Sequence, residues 1–290
     1  MKNSRHAFTL VELLVVMIAI GILAGISMAA LGAVQRTAAE VRTRTTIMKI
    51  HAILMEKYAS YADRRIPVEL DMTKLTSKQA AEKRLMALRE LQTIEMPDHW
   101  AEIKEPKLGL INPNENSSYQ RMKAALGSRD FTNDGNVMFS AELLYLIVMA
   151  QPGAADVFSG AEVGDTNNNG LKEFLDGWGR PIFYIRWPVG FLPENGAITD
   201  LQTGNPTMDH DPFDVFKVEA NAYAVYPLIY SAGADGIRGL MPPDPSKGPS
   251  PDWKGDVGAP GTGTKGQGAA GNKVGNASPS YDNITNHVLN

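Results

Sequence analysis

Asp165, Asn167 and Asn169 stand at alternate positions ahead of Gly170, and Asp176 closes the same twelve-residue run, Asp165-Thr166-Asn167-Asn168-Asn169-Gly170-Leu171-Lys172-Glu173-Phe174-Leu175-Asp176. Such a loop presents oxygens to a hard divalent cation. Side chains serve at places 1, 3 and 5, glycine makes the sharp turn, the Leu171 carbonyl follows, and a carboxylate closes the cage. Asp in the closing place, where Glu is usual, sets the expected calcium affinity on the order of 10⁻⁴–10⁻³ M. The competing reading is an Asn-rich turn that needs no ion. Glu12 is the second chemically loaded residue, because the segment after it, Leu13 to Val34, contains no charge. An ionised carboxylate at membrane depth costs a few kcal/mol and requires a cationic partner. Other candidates are weaker. Asp130-Phe131-Thr132-Asn133-Asp134-Gly135 echoes the start of the loop, but Ala141 stands where its closing acid belongs, so it reads as a turn. His51 reads as a structural residue among apolar neighbours, and His99, His210 and His287 lack ligand spacing. No nucleophile elbow, phosphate-cradling loop or two-histidine metal motif supports an enzyme.

The elements that position these residues begin with one long helix. At 1.5 Å per residue, Leu13 to Val34 reaches roughly 33 Å, enough to cross the hydrocarbon core of a bilayer. Gly21 and Gly25 give the small-xxx-small spacing that lets membrane helices approach closely. Beyond Val34 the pattern turns amphipathic. Val34, Val41, Met48, Met55 and Ala62 recur every seven residues, with Ala38, Thr45, Ala52 and Ala59 beside them. A second apolar row, Ile47, Ile50, Leu54, Tyr58 and Tyr61, is placed to pack on a globular head. No Gly or Pro interrupts the stretch from Val34 to Ala62, and Pro67 closes it, so the stem extends to about Asp63.

Residues 64–138 read as a largely helical insertion. Thr76-Ser77-Lys78-Gln79 is a capping-box start, Ala81, Leu85, Leu88 and Leu91 give an apolar face, 112–118 is loop, and Tyr119–Leu126 is a short helix stopped by Gly127. Within the head, 139–241, Phe139–Met149 is a buried helix with Ser140 as a candidate cap. Strand patterns follow at Pro181–Trp187 and at Ala222–Ser231, the second broken by Pro227. Helices first and strands later predict an α+β head with a small antiparallel sheet laid on the stem. From 242 to 290 the chain is rich in Gly, Pro and Ser and reads as a flexible C-terminal region.

Composition sets further bounds. The chain has 290 residues, 43% hydrophobic and 21% charged, enough apolar content for a sizeable core in one or two domains. A net charge of −4 argues against nucleic acid as a partner. No cysteine is present, which removes thiol nucleophiles and disulfides together, so an exported head must rely on packing, metal or assembly.

The N-terminus Met1-Lys2-Asn3-Ser4-Arg5-His6-Ala7 followed by Phe8-Thr9-Leu10-Val11-Glu12 resembles the prepilin signal of type IV pilins and type II secretion pseudopilins. The resemblance implies a leader at 1–7, cleavage by a prepilin peptidase between Ala7 and Phe8, and N-methylation of Phe8. Ala7 departs from the Gly usual before the cut. A secretory signal cut near Ala29–Ala33, or a plain signal anchor held by Lys2 and Arg5, accounts for neither Phe8 nor Glu12. Residues 8–34 then become the membrane part of the stem and 35–63 its amphipathic part. Assembly is implied to place Glu12 near the Phe8 amine of a neighbouring subunit. Asp176-Gly177-Trp178-Gly179-Arg180-Pro181 and Ser231-Ala232-Gly233-Ala234-Asp235-Gly236 are similar to two segments of the major pseudopilin. The second implies a calcium site with Asp235, the Ala232 carbonyl and a downstream Asp282. The implied fold is pilin-like. The implied partners are copies of the chain, other pseudopilins, an assembly platform in the bacterial inner membrane and lipid, with the N-terminus cytoplasmic and the head periplasmic. The implied function is a pseudopilus subunit for protein export. A minor pilin of a twitching or DNA-uptake pilus, or a non-polymerising anchored binding module, are the alternatives.

Overall fold

The computed structural model describes residues 10–68, 73–127, 139–191, 205, 207–240 and 283–287. Helix α1 spans Leu10–Ser60 without interruption, so at 1.5 Å per residue the stem is roughly 77 Å long. Its two halves live in different surroundings. No residue from Leu10 to Ala38 is buried. Further on, Ala39, Thr43, Thr46, Ile47, Ile50, Leu54 and Tyr58 are buried against the head. Their spacing by three and four keeps them on one face. Burying a side chain the size of Ile or Leu is worth about 1.5–3 kcal/mol, so Ile47, Ile50 and Leu54 alone hold the stem to the head firmly. The heptad row Val34, Val41 and Met48, with Ala38, Thr45 and Ala52 beside it, stays exposed on the other side.

The described residues of 64–138 carry three α-helices and a 3₁₀ turn. Helix α2 (Ser77–Glu95) begins with the expected capping box, in which the Gln79 amide donates to Thr76 Oγ1 and the Thr76 amide donates to Gln79 Oε1. Helix α3 (Ala101–Lys104) and a 3₁₀ turn at Pro113–Glu115 follow, then α4 (Ser117–Leu126). Helix α4 starts two residues earlier than the apolar pattern predicts. Asn116 caps it by accepting from the amides of Ser118 and Tyr119 at 2.9 and 3.1 Å. The segment that would carry the Asp130–Gly135 turn lies outside the described residues.

Helix α5 (Phe139–Met149) packs on the stem and on both sheets, with α6 (Ala154–Val157) beyond it. Ser140 is not a cap. It lies inside α5, and its hydroxyl accepts from the Tyr184 amide at 3.4 Å. Strands β1 (Val163–Gly164) and β2 (Glu173–Phe174) form an antiparallel pair across the Asp165 loop. The main sheet has antiparallel order β3-β4-β5, with β3 at Phe183–Ile185, β4 at Leu228–Ser231 and β5 at Ile284–Thr285. Strand β4 starts directly after Pro227 rather than at Ala222, because a central strand cannot give up an N–H donor.

Within the region read as flexible, the described residues 283–287 belong to the fold, since Ile284 and Thr285 pair with Ser231 and Tyr230. Asn286 secures this end through its side chain. It accepts from the Ile229 amide at 2.7 Å and donates to the Pro227 carbonyl at 2.9 Å, beside His51 on the stem. Buried charge hubs add to the packing that stands in for disulfides. Glu95 takes Lys57 and Arg64, Arg89 takes Asp211 and Glu219, and Arg186 takes Asp98 and Glu102.

Candidate functional site

The N-terminal half of the stem is a surface. Leu10, Val11, Leu13, Leu14, Met17 and Ile18 are all more than half exposed. This is also a helix long and apolar enough to cross a membrane. Glu12 sits in its first turn. Side chains added at Gly21, Gly25 or Gly32 would meet nothing within 4 Å, so small residues leave shallow ground along the helix where another helix can approach. Ala7 and Phe8 lie outside the described residues.

A tight joint ties this stem to the head. The turn after Asp176 places Gly177 against α1, where its amide donates to Thr43 Oγ1 at 2.9 Å. Thr43 in turn donates to the Ala39 carbonyl at 2.8 Å. Any side chain at 177 would run into the Ala39 backbone. Asp176 builds the turn. Its Oδ1 accepts from the amides of Trp178 and Arg180, both at 2.9 Å, and its Oδ2 accepts from the Ser231 hydroxyl at 2.7 Å. Asp176 is thus engaged with its own turn and with β4.

The Asp165 loop itself is ordered around its own oxygens. Asp165 accepts from the amides of Asn169 and Gly170 at 3.1 and 2.8 Å, and Asn169 Oδ1 accepts from the Leu171 amide at 2.8 Å. Gly170 has φ +87° and Asn168 φ +56°, the left-handed turns that Gly and Asn tolerate. Two acids that spacing did not identify face this loop. Glu142, on α5, takes the side-chain amides of Asn169 and Asn167 on Oε1 at 2.7 and 3.2 Å, and the Trp100 indole on Oε2 at 2.9 Å. Glu173, fully buried on β2, accepts the Thr166 amide on Oε2 at 3.1 Å, while its Oε1 has no partner. Burial pushes the Glu173 carboxyl up to about 7 against the pull of the Thr166 amide, and the charges of Glu142 and Asp165 add to the rise. A lone acid inside the apolar run Phe139–Met149 was the available sign for Glu142. Glu173 was hidden inside the loop's own spacing.

The loop around Asp235 is filled differently. Arg180 Nη1 donates to the carbonyls of Gly233 and Ala234 at 2.8 and 3.1 Å. Its guanidinium lies so close to Gly236 that an added side chain would strike it. Asp235 Oδ1 accepts from the Ile237 amide at 2.7 Å, and Ala232 is buried. Arg180 thus occupies the two carbonyls that follow the Ala232 carbonyl implied as a ligand by the resemblance. Asp282 lies outside the described residues.

Comparison with known proteins identifies one feature. The prokaryotic N-terminal methylation motif matches residues 2–28, the segment that carries Glu12 and the start of the exposed stem. No curated protein and no solved structure matches the chain.

Proposed function

We propose that this chain, a type IV pilin-like protein by its N-terminal motif and long apolar helix, is a pseudopilus subunit that serves protein export. As a pilin-like protein it is a substrate of prepilin peptidase, anchored by its apolar helix and built to assemble into a pilin-type filament. The proposal adds the finer reading. Cleavage falls between Ala7 and Phe8, Phe8 is methylated, the anchor lies in a bacterial inner membrane, and the head faces the periplasm among other pseudopilins and an assembly platform.

One observation carries it. The same helix buries one face in the head and leaves another exposed, and the exposed row Val34–Val41–Met48 runs directly into the membrane half. A stem that only anchored a head would need no apolar stripe between membrane and head. A stem that packs against copies of itself needs one along its whole length. Glu12, in the first turn, then supplies the negative partner for the ammonium that cleavage creates on the next subunit. Pairing matters because one buried charge left without its partner costs about 3–5 kcal/mol.

Mass spectrometry of the native N-terminus tests the processing step, with a methylated Phe8 as the expected result. An intact initiator Met overturns it. Crosslinking in cells tests assembly. Ladders that depend on Glu12 and on the assembly ATPase support the filament, whereas a monomeric pattern replaces it with an anchored binding module.

A further inference from the structure

We propose that α5 and the 165–173 loop together bind a calcium ion through Asp165, Glu142 and Glu173, with Asn167 and Asn169 turning their amide oxygens inward. The decisive observation is Glu173. Its carboxylate is fully buried on β2, reaches the loop backbone at Thr166, and leaves Oε1 without a partner. Buried polar atoms in native folds are almost always satisfied, so an orphaned oxygen on an acid bonded to the loop backbone calls for a cation.

The arrangement around it is consistent. Glu142 is equally buried and approaches from α5, where it is held by nitrogen donors from the very asparagines whose spacing suggests a cation loop. Those amides now supply the positive charge density that Glu142 requires. Rotating each amide presents oxygen in place of nitrogen, at the cost of the bonds that Asn167 Oδ1 and Asn169 Oδ1 accept from the Asn169 and Leu171 amides. Among the described residues no three acids or histidines stand at metal-binding spacing, so binding requires the Glu142 and Asp165 carboxylates to move toward Glu173. Every donor is oxygen, which excludes a zinc-type site built on nitrogen and sulfur. A loop with two left-handed residues and rotatable amides adapts to the six to eight ligands of calcium better than to the strict octahedron of magnesium. Asp176 has no part in this set, because its oxygens belong to the Trp178 turn and Ser231.

The test uses the full-length protein in detergent, stripped with EGTA and titrated with calcium chloride by calorimetry and thermal melting. The expected Kd is on the order of 10⁻⁴ M. At about 10 mM calcium, roughly a hundredfold above that Kd, the melting temperature rises by about 5–10 °C. Glu173→Gln weakens binding at least tenfold and inverts the order of stability. In EGTA the variant melts at or above the wild type, because an uncompensated acid is gone, and in calcium the wild type melts higher. A Glu173 that only supports structure would leave the variant below the wild type under both conditions, which overturns the proposal. Asp165→Asn keeps the loop's hydrogen-bond acceptor yet also weakens binding, while Asp176→Asn leaves the Kd unchanged. Absence of heat and of any melting shift in the wild type at about 10 mM calcium likewise overturns it. None of these readouts depends on filament assembly.

Discussion

Gly177 lies on the backbone of Ala39, so close that a methyl group placed on it would sit 2.1 Å from the Ala39 carbonyl oxygen. The contact joins the head's Asp176 turn to the stem at the place where burial begins, and the Thr43 hydroxyl bridges the two backbones. Neither partner is the end of a flexible side chain, so neither can yield cheaply. Gly177→Ala is expected to cost about 1–3 kcal/mol, as overpacking in a rigid core does. The comparison is Gly179→Ala, two residues on. There the added methyl meets nothing, and the penalty comes only from φ +77°, about 1–2 kcal/mol. Thermal melts check both, and only Gly177→Ala should also expose the stem face to proteolysis between Ala39 and Ile50.

Glu12→Val should separate insertion from assembly. Removing the acid makes the membrane segment more apolar, so the protein still enters the bilayer. On the proposed assembly, what it loses is the partner for the neighbouring ammonium, an effect of about 3–5 kcal/mol per subunit contact. Membrane fractionation should find the variant with the wild type, and filament crosslinks should vanish. Normal ladders from Glu12→Val would show that the acid has another role.

How far the sequence discloses this arrangement depends on what each residue answers to. The stem is legible because uncharged length and unbroken helical periodicity are local properties, and α2 is legible because Thr76 and Gln79 cap it from three residues apart. The tail misleads for the opposite reason. Its Gly and Pro content is real, yet Ile284 and Asn286 are recruited by β4 from far along the chain, which no local pattern records. Asp176 answers to two patterns at once. Loop spacing and turn chemistry both want an acid at that position, and only the fold shows that Trp178, Arg180 and Ser231 take it. Arg180 is similar, since the family resemblance points to Asp235 and says nothing of the guanidinium seated there.

The two faces of the stem should respond oppositely to substitution. Leu54→Ala removes a fully buried side chain and is expected to destabilise the head by about 2–5 kcal/mol. Val41→Glu lies on the exposed row and should change stability by less than about 0.5 kcal/mol. Its effect belongs to assembly, because a charge placed between packed stems has no partner. Melting curves and crosslinking of the two variants should therefore give mirror-image results. A filament that tolerates Val41→Glu would move the subunit contact to another face.

Acid should loosen the joint between stem and insertion through Glu95. Burial alone would raise this carboxyl, but the Arg64 hydrogen bond, the Lys57 charge and the Asn116 amide together hold it at about 2. The folded value is depressed below the ordinary 4.5, so the unfolded chain binds the proton more readily. The stabilisation is complete above about pH 4.5 and is lost as pH falls toward 2. A difference of that size corresponds to about 3 kcal/mol for a side chain as buried as this one. Other groups titrate in the same range, so the measurement is the difference between wild type and Glu95→Gln. Their stabilities should diverge most near neutral pH and converge as pH approaches 2. A gap that stayed constant down to pH 2 would mean that Glu95 holds Lys57, Arg64 and Asn116 by shape and hydrogen bonding rather than by charge.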